Sequence, residues 1–101
     1  MHLVEIFLPL DKGSGAQARS EEIHAIVKEL ADRFGGATAF TREPADGLWK
    51  QAADLVHDRI IIVEVVVERI DEEWWRAYRR HLEAHFEQSE VMIRVTACRL
   101  I

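Results

Sequence analysis

Cysteine is almost absent. Cys98 stands alone in 101 residues, so no internal disulfide can form, and the expectation is a cytoplasmic chain in a reducing compartment. Two prolines and five glycines are too few for a collagen-like or low-complexity chain. No apolar run reaches the roughly 18 residues that a membrane span requires. The start Met1-His2-Leu3-Val4-Glu5 lacks a basic segment followed by a cleavable apolar stretch. Positive charge is scarce too: 13 Lys and Arg against 18 Asp and Glu give a net charge of -5, which argues against a phosphate backbone as the partner. Neither nucleic acid nor a membrane is expected as a partner.

What is present is apolar material, 49% of the residues, spread over a chain long enough to bury one core. A single domain over residues 1–101 follows. Residues 2–10 read as a strand with Val4, Ile6 and Leu8 on one face and Leu3, Glu5 and Phe7 on the other. Ser14 with Gln17 makes a capping-box spacing, and Ile23, Ile26, Leu30 and Phe34 recur at helical intervals until Gly35-Gly36, which predicts a helix over residues 15–34. Thr38, Phe40 and Arg42 alternate in a second strand that Pro44-Ala45-Asp46-Gly47 interrupts as a turn signal, with resumption at Leu48-Trp49. The β-branched run from Arg59 to Glu68 is the strongest strand signal and reads as central.

Asp71, Glu72 and Glu73 open a second helix with acids at its positive end, Glu72 can pair with Arg76, and Trp74, Tyr78, Leu82 and Phe86 form the apolar stripe. Of the adjacent Trp74 and Trp75, one must face the sheet and the other a helix flank. Residues 90–101 alternate as a closing strand. The order βαββαβ defines an α+β fold, the ferredoxin-like plait: a four-stranded antiparallel sheet of order 4-1-3-2 with both helices on one face. Val4, Ile6, Ile61, Val63, Val65, Ile93 and Val95 are expected to meet the helices. Leu3, Phe7, Phe40, Ile60, Ile62, Val66 and Met92 are left on the open face, an apolar surface too large to stay wet. A second copy of the chain is the simplest cover.

The stretches Phe34-Gly35-Gly36-Ala37-Thr38, Gly47-Leu48-Trp49, Val63-Glu64-Val65 and Phe86-Glu87-Gln88-Ser89-Glu90-Val91 give a layout that resembles the dimeric α/β-barrel branch of ferredoxin-like proteins, and in particular small bacterial proteins of that layout. The resemblance implies a fold and a homodimer more than an activity, although some barrels of this branch are cofactor-free oxygenases, isomerases or haem proteins.

The candidate site lies among the polar residues of the open face. Glu5 and Glu64, on neighbouring strands, are the candidate catalytic pair, since two carboxyls in a dry cavity can divide the roles of general base and general acid. Pairing Glu5 opposite Glu64 aligns Phe7 with Ile62 and Leu3 with Val66, but sets like charges face to face. Three escapes exist: a register shifted by two, a shared proton, or neutralisation by Arg94. Arg94 and Thr96 on the last strand are candidate ligand-binding residues. Trp49 and His57, in the long connection between strands two and three, are candidates to close the cavity mouth. The competing reading is a structural ion pair of Glu5 with Arg94 in a solidly packed interaction module. His81 and His85 have the i, i+4 spacing that can hold a metal, but the segment His81-Leu82-Glu83-Ala84-His85 fits neither zincin order, and no metal or cofactor is expected. A proline at position 2, a Cys-x-x-Cys pair and a phosphate loop are all missing. The expected function is small-molecule binding between the sheet face and the loop, extending to cofactor-free catalysis.

Overall fold

The computed structural model describes residues 1–51 and 54–101, the side chains of residues 40–58 excepted. The elements are β1 (His2–Pro9), α1 (Ser20–Phe34), β2 (Thr38–Gln51), β3 (Asp54–Val67), α2 (Glu72–His85) and β4 (Met92–Ala97). The strands form one antiparallel sheet in the order β2-β3-β1-β4, the plait that the element order predicts. Val4, Ile6 and Leu8 of β1 and Ile61, Val63 and Val65 of β3 pack in one cluster with Ile23, Ile26 and Leu30 of α1 and with Trp75, Tyr78, Leu82 and Phe86 of α2. Both helices therefore cover the same face, as the period-two alternation of the strands requires. Among the described residues no helix is long and apolar enough to cross a membrane.

Several boundaries differ from the sequence expectation, each for a local reason. Helix α1 opens at Ser20 rather than residue 15, because residues 11–17 fold back on themselves instead. Asp11 bridges Gln17, the Lys12 amide donates to the Ala16 carbonyl at 2.7 Å, and Gly15 sits at φ 91°, a conformation that glycine adopts without steric cost. The real capping carboxylate is Glu22, which accepts the Arg19 amide at 2.7 Å. Gly35, at φ 87°, ends the helix by donating its amide to the Ala31 carbonyl.

Strand β2 is not broken by Pro44. Its pairing with β3 shifts between Phe40, opposite Ile62, and Ala45, opposite Ile60, so the proline, which has no amide to donate, falls in a bulge of an edge strand. The expected long connection is consequently a hairpin in which Trp49 pairs with Val56 and Leu48 with His57. Strand β4 is shorter than residues 90–101. Val95 is 43% exposed rather than buried under a helix, because β4 is the sheet edge and an open groove lined by Trp75, Arg76 and Arg79 separates it from α2.

In α2 the Asp71 carboxylate accepts the Trp74 amide at 3.1 Å, and Glu72 pairs with Arg76 at 3.0 Å. Trp75, not Trp74, is the buried member of the stripe. It stacks on Phe34 at 5.2 Å between ring centres, whereas half-buried Trp74 meets the same ring edge-on. Burial pushes the Tyr78 phenol above its ordinary range.

Two contacts lock the first loop to the helices. The Gly13 amide donates to the Phe86 carbonyl, and the Gln88 side chain donates to the Asp11 carbonyl at 2.9 Å. A Cβ at Gly13 would fall on the Glu87 carbonyl oxygen. Gly13→Ala is therefore expected to cost about 1–3 kcal/mol by overpacking, read as a lowered denaturation midpoint at unchanged slope. Glu22 is the third lock: it accepts from Lys12 at 2.7 Å and faces His85 at 3.1 Å. Chiefly the Lys12 hydrogen bond, and then the Arg19 amide, lower its pKa from an ordinary 4.5 to about 2. Because the folded value lies below the unfolded one, the stability that Glu22 contributes is complete above about pH 4.5 and is lost as pH falls toward 2. Glu22→Gln is expected to flatten the acid slope of stability in that window, measured by urea melts across it.

Candidate functional site

The open face of the sheet carries one polar row. Thr38 of β2 pairs with Glu64 of β3, Glu64 with Glu5 of β1, and Glu5 with Arg94 of β4, so four side chains cross all four strands in line. Apolar rows flank it. Phe7 lies between Ile62 and Met92, and Leu3 lies between Val66 and Thr96. Alternation places these residues here: Val4, Ile6, Val63 and Val65 are drawn to the helices, and every intervening residue must point the other way.

The register is unshifted, and of the three escapes from the facing carboxylates the structure uses Arg94. Its Nε donates to Glu5 Oε1 at 2.9 Å, with the Glu5 side chain 14% exposed and that of Arg94 57% exposed. The guanidinium also lies 5.2 Å from the centre of the Phe7 ring. Glu5 is thus neutralised as the structural reading expects. Glu64 is half-buried and has no ion-pair partner among the described residues.

Glu64 also borders space. An open groove of about 830 Å³ runs where the ends of β1 and β3 meet the return from α1 into β2, lined by Leu3, Val66, Thr38 and Glu64 and by Arg33, Gly35, Gly36, Glu68 and Arg69. The two carboxylates expected to act together are therefore divided: Glu64 faces the groove and Glu5 is held by Arg94. Arg94 and Thr96 stand on β4, beyond Glu5 and outside the groove lining. Trp49 and His57 stand on the hairpin strands, and their side chains lie outside the described residues. His57 precedes Glu64 by seven positions (64 − 57 = 7) along β3, about 23 Å at the rise of an extended strand, so it belongs to the other end of the sheet from this groove.

Arg33 and Arg69 are the groove residues that the sequence analysis missed. Gly35-Gly36 was readable as a helix stop, yet that return also carries the last turn of α1, and Arg33 with it, to the start of β2 beside Glu64. Elsewhere, His85 is engaged with Glu22 and His81 stacks on Tyr78 at 6.1 Å. Among the described residues no group of three or more His, Cys, Asp and Glu side chains is placed to hold a metal ion.

No family model matches the chain. No curated protein matches it either. Solved structures that resemble it include two of a phage enzyme. One is a phage SAM lyase in complex with S-methyl-5'-thioadenosine, at TM-score 0.67 and 17% identity over 94% of this chain and 79% of that one. The other is a phage SAM lyase in its apo state, at TM-score 0.61 and 17% identity, covering 94% and 78%. At this identity the likeness shows a shared fold.

The polar row generates a double-mutant test. Arg94→Ala leaves Glu5 facing Glu64 without a cation, whereas Glu5→Gln removes the repulsion together with the pair. A favourable coupling between positions 5 and 94 is expected at low salt, fading at about 1 M salt. Additive single changes would remove the ion pair from the account of this face.

Proposed function

We propose that the chain binds a small molecule in the groove beside Glu64, and that Glu64 is the working carboxylate of a cofactor-free enzyme there. The observation that carries this reading is the unequal fate of the two facing carboxylates: Arg94 satisfies Glu5, while Glu64 is half-buried at the edge of a groove with no ion-pair partner among the described residues. A carboxylate so placed can oppose a cationic centre on a ligand or take a proton from it. The ligand class we favour is an adenine nucleoside thioether or its sulfonium parent. The similar fold that holds S-methyl-5'-thioadenosine supports it, as do the apolar walls that Leu3 and Val66 offer to a ring and a thioether. Cys98 is a free thiol, in keeping with a cytoplasmic setting.

The partner in this reading is a second copy of the chain, as in a dimeric α/β barrel. Val66 and Met92 are 36% and 37% exposed on the open face, beside half-buried Leu3, Phe7 and Ile62. The Glu5–Arg94 pair on that same face favours a second reading, a structural or interaction module whose face meets a partner without chemistry.

Glu64→Gln separates the two. It keeps the shape and removes one of two facing like charges, so the variant is expected to be at least as stable as wild type near pH 8. Calorimetric titration with SAM is expected to show binding weakened by about tenfold or more. A variant clearly destabilised near pH 8 in denaturant melts, or one with undiminished SAM affinity, overturns the assignment. For the assembly, sedimentation at micromolar concentration is expected to give a dimer that Ile62→Arg dissociates, since an unpaired buried charge costs several kcal/mol. A stable wild-type monomer removes the dimer.

A further inference from the structure

Among the described residues four charged side chains line the Glu64 groove, two of each sign: Arg33 and Arg69, Glu64 and Glu68. None of them forms an ion pair, with each other or with another described residue. The Arg33 guanidinium is held by rings instead, 4.3 Å from the centre of Trp74 and 5.5 Å from that of Phe34. Stacking positions its plane while leaving the edge N–H donors unused. Arg69 follows Glu68 directly after the end of β3 and lines the same groove.

Opposite charges kept apart in one groove match a ligand that is itself doubly charged. We infer that the groove recognises an amino-acid-like, zwitterionic arm, its carboxylate taken by Arg33 and Arg69 and its ammonium by Glu68, with Glu64 facing the remainder of the ligand. The inference rests on the small-molecule reading of this groove and narrows it from nucleoside thioethers in general to those bearing an α-amino acid. Guanidinium is suited to the task because its planar fork meets a carboxylate with two parallel hydrogen bonds. An acidic chain repels a bare anion, so the neighbouring Glu68 makes the zwitterion, and not a simple carboxylate or phosphate, the favoured class.

The test compares two neutral thioethers that differ in this arm: S-adenosylhomocysteine, which has it, and S-methyl-5'-thioadenosine, which carries a methyl group in its place. In calorimetric titrations the wild type is expected to bind S-adenosylhomocysteine about tenfold or more tightly than S-methyl-5'-thioadenosine. That ratio is expected to fall toward one in Arg69→Gln and Arg33→Gln, with affinity for S-methyl-5'-thioadenosine held within about twofold. A wild-type ratio near one, or a ratio that survives Arg69→Gln, overturns the inference while leaving the groove a nucleoside site. Arg69→Gln decides the matter even where loss of the Trp74 stacking unfolds Arg33→Gln. A wild type that holds neither thioether overturns the nucleoside reading itself, and the amino-acid arm with it.

Discussion

Everything in this molecule hangs on the register of β1 against β3. A strand's side chains alternate with period two, so a slip of one residue would send Val4, Ile6 and Leu8 into solvent and draw Glu5 under the helices. The helix-facing set, from Val4 at 0% exposure to Val65 at 1%, forbids that slip. The same register then compels Glu5 to stand opposite Glu64. The juxtaposition of like charges is thus a by-product of core packing, and Arg94 on the far strand is the compensation. With one carboxylate neutralised and one left over, the asymmetry of the open face follows from the demands of the opposite face.

The groove is assembled by the connections rather than by the sheet. The Gly35-Gly36 return carries the last turn of α1 to the start of β2, and Phe34 packs against both Trp74 and Trp75 of α2. This aromatic cluster ties the end of α1 to the start of α2, and both ends lie near the edge of the groove through Arg33. At the opposite end Glu22, Gly13 and Gln88 tie the first loop to α1 and to the end of α2. Each pair of helix ends is therefore fastened by a different chemistry, aromatic beside the groove and polar away from it.

Element order, sheet order, most of the core and the Glu5–Glu64–Arg94 alignment were legible in the sequence because they rest on periodicity, which is local and repeats. The run Ile60-Ile61-Ile62-Val63 and the alternation Val4-Glu5-Ile6 leave little freedom. Cap choice was less legible. Ser14 and Glu22 both carry suitable side chains, and the outcome turned on tertiary contacts of Lys12 and Asp11 that no window of sequence contains. Pro44-Ala45-Asp46-Gly47 read as a turn because proline and glycine break regular strands. An edge strand absorbs them in a bulge, and edge position is a property of the sheet. Arg33 and Arg69 were invisible as groove residues for a similar reason, since 36 positions (69 − 33 = 36) separate two side chains that only the crossover brings to one place. Trp49 and His57 can sit beside Glu64 only if their connection folds back as a loop, whereas the segment is an extended hairpin.

The sheet has two outer edges, and each is blunted in its own way. On one side β4 is six residues long and carries the charged Arg94. On the other β2 is kinked by its bulge and contains a proline that cannot donate. An unprotected edge is a template on which further strands can be laid without limit. Here β4 is short and the register shift around Pro44 interrupts the long run of β2, both of which disfavour growth by lateral strand addition, the route to fibres.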